Sequence, residues 1–119
     1  MKLRNTAAAA VAALALVLSL PGSALAAQGN FSYKYVDGFG QQQKVALHDP
    51  HSGQCINLYV VGDERNTPGY GPHNETDRAV TVYAGAGCTG AEWRLKAHGK
   101  PARDDLYVRS VRFDVRADS

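Results

Sequence analysis

From Phe31 to Val115, apolar and polar side chains alternate with a period of two rather than 3.6, the pattern of strands with one buried face. Phe31, Tyr33 and Tyr35 alternate with Ser32 and Lys34, and Asp37-Gly38 follows as a turn signal. Val45 and Leu47 flank Ala46 in a second short strand, closed by Asp49-Pro50. Cys55 to Val61, rich in branched and aromatic side chains, predicts a third. The next 17 residues, Gly62 to Arg78, hold three Gly, two Pro and two Asn without periodicity. They predict a long polar loop, either functional or mobile.

Alternation resumes after the loop. Val80, Val82 and Ala84 face one way, Thr81 and Tyr83 the other, and the Gly-rich turn from Gly85 to Gly90 leads into Ala91 to Leu95. A loop with Gly99-Lys100-Pro101 and Asp104-Asp105 precedes a last strand, Leu106 to Val115. There the apolar phase shifts from Leu106 and Val108 to Val111, Phe113 and Val115, which one extra residue near Arg109-Ser110 would produce as a β-bulge. No exact internal repeat is visible. About six short strands separated by turn signals predict an all-β fold, a small antiparallel β-sandwich or Greek-key domain.

The N-terminal segment follows a different pattern. Lys2 and Arg4 precede an apolar run from Ala7 to Leu20, Pro21-Gly22 breaks it, and Ala24-Leu25-Ala26 has the small residues that a signal peptidase recognises. The run is shorter than the ~20 residues needed to span a bilayer. Residues 1–26 therefore read as a signal peptide, and 27–119 as one secreted β domain without a membrane anchor. The leader would take two of the 13 Lys and Arg with it, leaving 11 against 11 Asp and Glu. A neutral domain lacks the basic footprint of a nucleic-acid or anionic-membrane binder.

Cys55 and Cys88 are the only cysteines. In an exported chain, an even count predicts a disulfide rather than a reactive thiol or metal pair. His48-Asp49-Pro50-His51 could contribute to a metal site with His73 or His98, but the spacing matches no metal motif, and solvated loop histidines are the expectation. Asp104 and Asp105 are adjacent and point apart on an extended chain, which predicts a solvated turn rather than an acid–base pair. Asn74-Glu75-Thr76 fits the glycosylation pattern and reads as an exposed turn. No nucleophile elbow or phosphate-binding loop is present, so the chain is expected to be no enzyme and to carry no metal or cofactor.

The aromatic strand allows two readings. Phe31, Tyr33 and Tyr35 cover the sandwich core, or they line an exposed edge strand that pairs with another protein's sheet. In the second case Phe31, Tyr33, Tyr35 and Tyr70 are the candidate partner-binding residues.

Two resemblances bear on this. Val80-Thr81-Val82-Tyr83, Cys88, Gly90 and Ser110-Val111-Arg112-Phe113 resemble a βγ-crystallin-type Greek key, with Ser110 placed where such motifs carry a serine that ties down the fold. Tyr33 and Gly40 repeat the Tyr83 to Gly90 spacing. The calcium signature of that family is absent, and its secreted members imply binding, as protease inhibitors or antimicrobial proteins, rather than catalysis. Across nearly the whole mature chain, Gly29-x-Phe31-x-Tyr33-x-Tyr35, Asp49-Pro50-x-Ser52-Gly53-x-Cys55-Ile56-Asn57-Leu58, Asn74-x-Thr76-Asp77, Cys88-x-Gly90 and Arg109-Ser110-Val111-x-Phe113 form a second pattern. It resembles a group of small exported actinobacterial proteins associated with the adaptor subunit of umbrella toxin particles. That resemblance implies a scaffold between a lectin-bearing subunit and a toxin-bearing stalk, with the segment through Tyr35 inserted into a partner. The expected function is a non-catalytic, secreted protein–protein interaction module, an adaptor in an extracellular toxin-type complex. The alternative is a crystallin-like inhibitor or antimicrobial protein acting through the Thr67–His73 tip of the long loop.

Overall fold

The two-residue alternation becomes two stacked antiparallel sheets with the alternating apolar positions between them. A computed structural model describes residues 26–116. The expected signal peptide, all but Ala26, lies outside the described residues. Among the described residues there is no helix, and eight strands run as β1 (Asn30–Val36), β2 (Gln42–His48), β3 (Cys55–Asn57), β4 (Gly69–Asn74), β5 (Val80–Tyr83), β6 (Glu92–Leu95), β7 (Tyr107–Val108) and β8 (Ser110–Phe113). One sheet has the order β2-β1-β4-β7, the other β3-β8-β5-β6. The fold is the small all-β domain that the alternation predicts.

The topology contains a repeat that the sequence hides. Read from its other end, the second sheet is β6-β5-β8-β3, the order of the first with every strand replaced by its counterpart in the other half of the chain. Each half forms a hairpin, sends its third strand into the opposite sheet and returns its fourth beside its first, a Greek-key course. Neither half can complete a sheet alone. The core is shared accordingly, with Phe31 and Tyr33 from the first half against Val80, Val82, Val111 and Phe113 from the second, all fully or almost fully buried. The Phe31 and Phe113 rings meet edge to face at 5.6 Å.

Three sequence expectations need correction. First, Gly62 to Arg78 is not one loop, because Gly69–Asn74 forms β4 between β1 and β7. Two glycines and a proline hide this strand, and packing explains them. A Cβ on Gly69 would lie 3.1 Å from the Tyr33 ring, and one on Gly71 would lie 2.6 Å from Asp104 Oδ1. Gly71 has φ +60° at a bulge, where Ser32 pairs with His73 but Lys34 pairs with Tyr70. The buried Pro72 sits in that bulge, where its missing N–H removes no regular ladder bond.

Second, Leu106 to Val115 is not one bulged strand. The chain changes sheets at Arg109, so Val108 belongs to the first sheet and Val111 and Phe113 to the second. The apolar phase shift marks that crossing. Arg109 also holds the turn after β3, its Nη1 donating to Val61 O at 3.1 Å and Asp63 O at 3.0 Å. Third, β3 stops at Asn57, because Leu58 and Val61 enter the core from a turn rather than a strand.

The disulfide forms between Cys55 and Cys88, with Cα atoms 5.9 Å apart, and joins β3 to the β5–β6 turn. The same turn is gripped by Ser110, whose hydroxyl donates to Gly85 O at 2.6 Å and accepts from Cys88 N at 2.8 Å. The Tyr-to-Gly spacing does not mark equivalent positions in the two halves. Tyr33 is buried within β1, whereas Tyr83 is the half-buried last residue of β5.

Candidate interaction surfaces

The aromatic first strand is interior. β1 pairs with β2 through seven residue pairs on one side and with β4 on the other, so it is not an edge. Of the four candidate partner-binding residues, Phe31 and Tyr33 have no exposed surface and serve the core. The Tyr33 hydroxyl donates to Tyr59 O at 2.9 Å, and burial, with Tyr35 close by, pushes its pKa from 10.0 up to about 12. Tyr35 is half-buried and lines a cleft with Val36, Val60 and Thr67. Tyr70 is half-buried on the outer face of the first sheet. Its hydroxyl donates to Gln42 Oε1 at 2.8 Å, and Lys34 Nζ stands 5.4 Å from its ring centre.

Asn74-Glu75-Thr76, expected as an exposed turn, is exposed only at Glu75, while Asn74 and Thr76 are buried in a corner of the fold. Asn74 is 1% exposed, and its Nδ2 donates to Arg78 O at 2.7 Å and Lys96 O at 2.9 Å. The Thr76 hydroxyl lies 2.8 Å from Asn74 Oδ1 and accepts from Arg78 N at 3.2 Å. Arg78 reaches across to Val115 O at 2.7 Å, locking the link between the two halves against the end of β8. The side-chain nitrogen a glycan would need is therefore engaged inside the fold.

The charged residues are dispersed. Asp104 takes Lys34 at 2.8 Å, while Asp105 takes Arg103 at 3.1 Å. His48 Nδ1 lies 3.0 Å from Asn30 Oδ1, His73 Nε2 donates to Gly99 O at 3.0 Å, and His51 and His98 are exposed. Among the described residues, no three His, Cys, Asp or Glu side chains are grouped so that they could hold a metal ion.

The exposed aromatic side chains are Phe39, Tyr59, Trp93 and Tyr107, and two features stand out among them. The β1–β2 turn raises Phe39 into solvent, 92% exposed. Asp37 fixes that turn by accepting from the N–H groups of Gln41 and Phe39, both at 2.9 Å, and from Gln43 Nε2 at 2.9 Å. These bonds favour its ionised form and hold its pKa below the usual 3.8.

The larger feature is a groove where β6, the margin of the second sheet, faces β7, the margin of the first. Trp93, 61% exposed, and Leu106 line both of its lobes, one together with Leu95, Pro101 and Ala102 and the other with Ala84 and Tyr107. The two lobes have volumes of about 410 and 260 Å³. Arg103 and Asp105 pair at the rim. The alternation does not reveal this site, because nothing in it shows that β6 and β7, close in sequence, belong to different sheets and face each other. The available signal was Trp93 itself, a large ring between Glu92 and Arg94 in a strand too short to bury it.

Comparisons with protein-family models, with curated proteins and with solved structures find no match to this chain.

Proposed function

We propose that this chain is a non-catalytic, exported binding domain that works through protein–protein contact, as an adaptor subunit of an extracellular complex. The observation that carries this reading is the Trp93 groove. An exposed Trp and Tyr beside an Arg, over a floor of Leu, Ala and Pro, is the composition of binding hot spots. The groove opens between the margins of the two sheets, where an inserted side chain reaches apolar surface on both. The disulfide fits an extracellular protein. The resemblance to umbrella-particle adaptors supplies the class of partner, a secreted lectin-like or toxin subunit. In this fold that partner would meet the groove rather than the buried Phe31 and Tyr33.

The crystallin-like alternative would draw on the interleaved Greek keys and the Ser110 clamp. The inhibitor reading built on the Thr67–His73 tip draws no support from the geometry, because most of that segment is the paired strand β4.

The test is the native size of the tagged protein recovered from the medium of a producing culture. The wild-type chain is expected in a complex well above its monomer mass. A Trp93→Ala, Tyr107→Ala variant is expected as a monomer with unchanged circular dichroism. Elution of both chains as monomers would refute the proposal.

A further inference from the structure

The first sheet ends on its other side in β2, which pairs with no further strand among the described residues. Asp37 N donates to Gln41 O and Asp49 N donates to Gly29 O, both at 2.8 Å, and these bonds bracket the β1–β2 ladder. Combined with the register, they assign the hydrogen-bonded pairs to Gln43, Val45 and Leu47. The main-chain groups of Gln42, Lys44, Ala46 and His48 therefore point away from β1, toward the side where the strand order stops.

Among the described residues, β2 is the longest sheet margin, with seven residues against three in β3, four in β6 and two in β7. It carries no Pro and no bulge, two of the devices that blunt an edge, and Lys44 is its one Lys or Arg.

Its two faces define the occupant. On the core side, Val45 and Leu47 lie opposite Tyr33 and Phe31 but remain partly exposed, so one more strand with apolar residues there would finish the cover. On the outer side, Lys44 lies directly opposite Lys34 in a pair without hydrogen bonds, where side chains come closest. Asp104 compensates Lys34 at 2.8 Å, while no carboxylate lies within ion-pair distance of Lys44 among the described residues. A second copy of this chain would bring another Lys34–Lys44 pair onto the same face, which like-charge repulsion opposes.

We propose that β2 is a docking edge that accepts an extended strand of another polypeptide, apolar on the face toward the core and acidic on the face toward Lys44. This rests on the reading of the chain as a binding subunit and gives it a second site. β2 and β7 are opposite margins of one sheet, so the edge and the groove can be filled together.

The test uses a synthetic Thr-Val-Glu-Val-Glu-Val-Thr peptide, with Thr-Val-Lys-Val-Lys-Val-Thr as its basic counterpart, and reads amide exchange by NMR. The acidic peptide is expected to slow exchange at Gln42, Lys44, Ala46 and His48 by roughly tenfold, and the basic one to leave it unchanged. Ala46→Pro removes an outward donor and none of the β1 bonds, so it is expected to abolish the effect. Lys44→Glu, which leaves the backbone alone, is expected to transfer the response to the basic peptide. Trp93→Ala is expected to respond as the wild type does, which separates this site from the groove, and loss of the response there would overturn the assignment to β2. The proposal is also overturned if neither peptide slows the four amides. Protection in the protein alone, growing with concentration alongside a dimer mass, would overturn it too by making the occupant a second copy.

Discussion

Tyr33 shows how much one side chain can do in a thin core. Its ring is fully buried against Phe31, and its hydroxyl closes the turn after β3 through Tyr59 O. Tyr33→Phe removes that hydrogen bond and is expected to cost about 1 kcal/mol near neutral pH. The hydroxyl also sets an alkaline limit. With the folded pKa raised from 10.0 to about 12, the unfolded chain releases its proton first. The stabilisation is therefore whole below pH 10 and declines as pH climbs toward about 12. Urea unfolding at about pH 8 and about pH 11 checks both points, because the pH-dependent loss carried by this hydroxyl should vanish in the Phe variant while the near-neutral cost remains. The alternation of Phe31, Tyr33 and Tyr35 made their shared face legible. It could not decide between core and edge, which depends on whether another strand lies alongside. The burial of Asn74 and Thr76 is hidden from the sequence for a related reason. A polar tripeptide looks exposed until the carbonyls it serves, those of Lys96 and Arg78, are known.

The elements were legible where side chains alternate and hidden where backbone approach decides. β1, β2, β5 and β6 follow their patterns, while β4 was lost because Gly69, Gly71 and Pro72 are the residues that close packing and a bulge require. The phase shift at Arg109 was visible, but a bulge and a change of sheet leave the same trace in sequence. Ser110 is the element-scale hinge of the second half. Its hydroxyl serves both a donor and an acceptor of the β5–β6 turn beside the disulfide. Ser110→Ala takes the partner from Cys88 N–H and Gly85 O, both on half-buried residues, and is expected to cost about 2 kcal/mol. The urea midpoint is expected to fall while the disulfide stays intact by thiol titration. An unchanged midpoint would show that the turn is held by Cys55–Cys88 alone.

At the scale of the molecule, the exchange of third strands makes each sheet depend on both halves, and the disulfide adds a covalent tie between them. A chain closing a loop of this length gains about 4 kcal/mol in the chain-entropy model. Such a scaffold presents the Trp93 groove at one margin of the first sheet and the β2 edge at the other, the two surfaces that the proposed binding role would use. The most direct measurement is hydrogen exchange by mass spectrometry on the protein alone and on the same protein in the complex proposed above, as recovered from a producing culture. Exchange is expected to be slower in the complex at residues 91–95 and 105–108, which line the groove. Identical exchange of those segments in the two samples would contradict it.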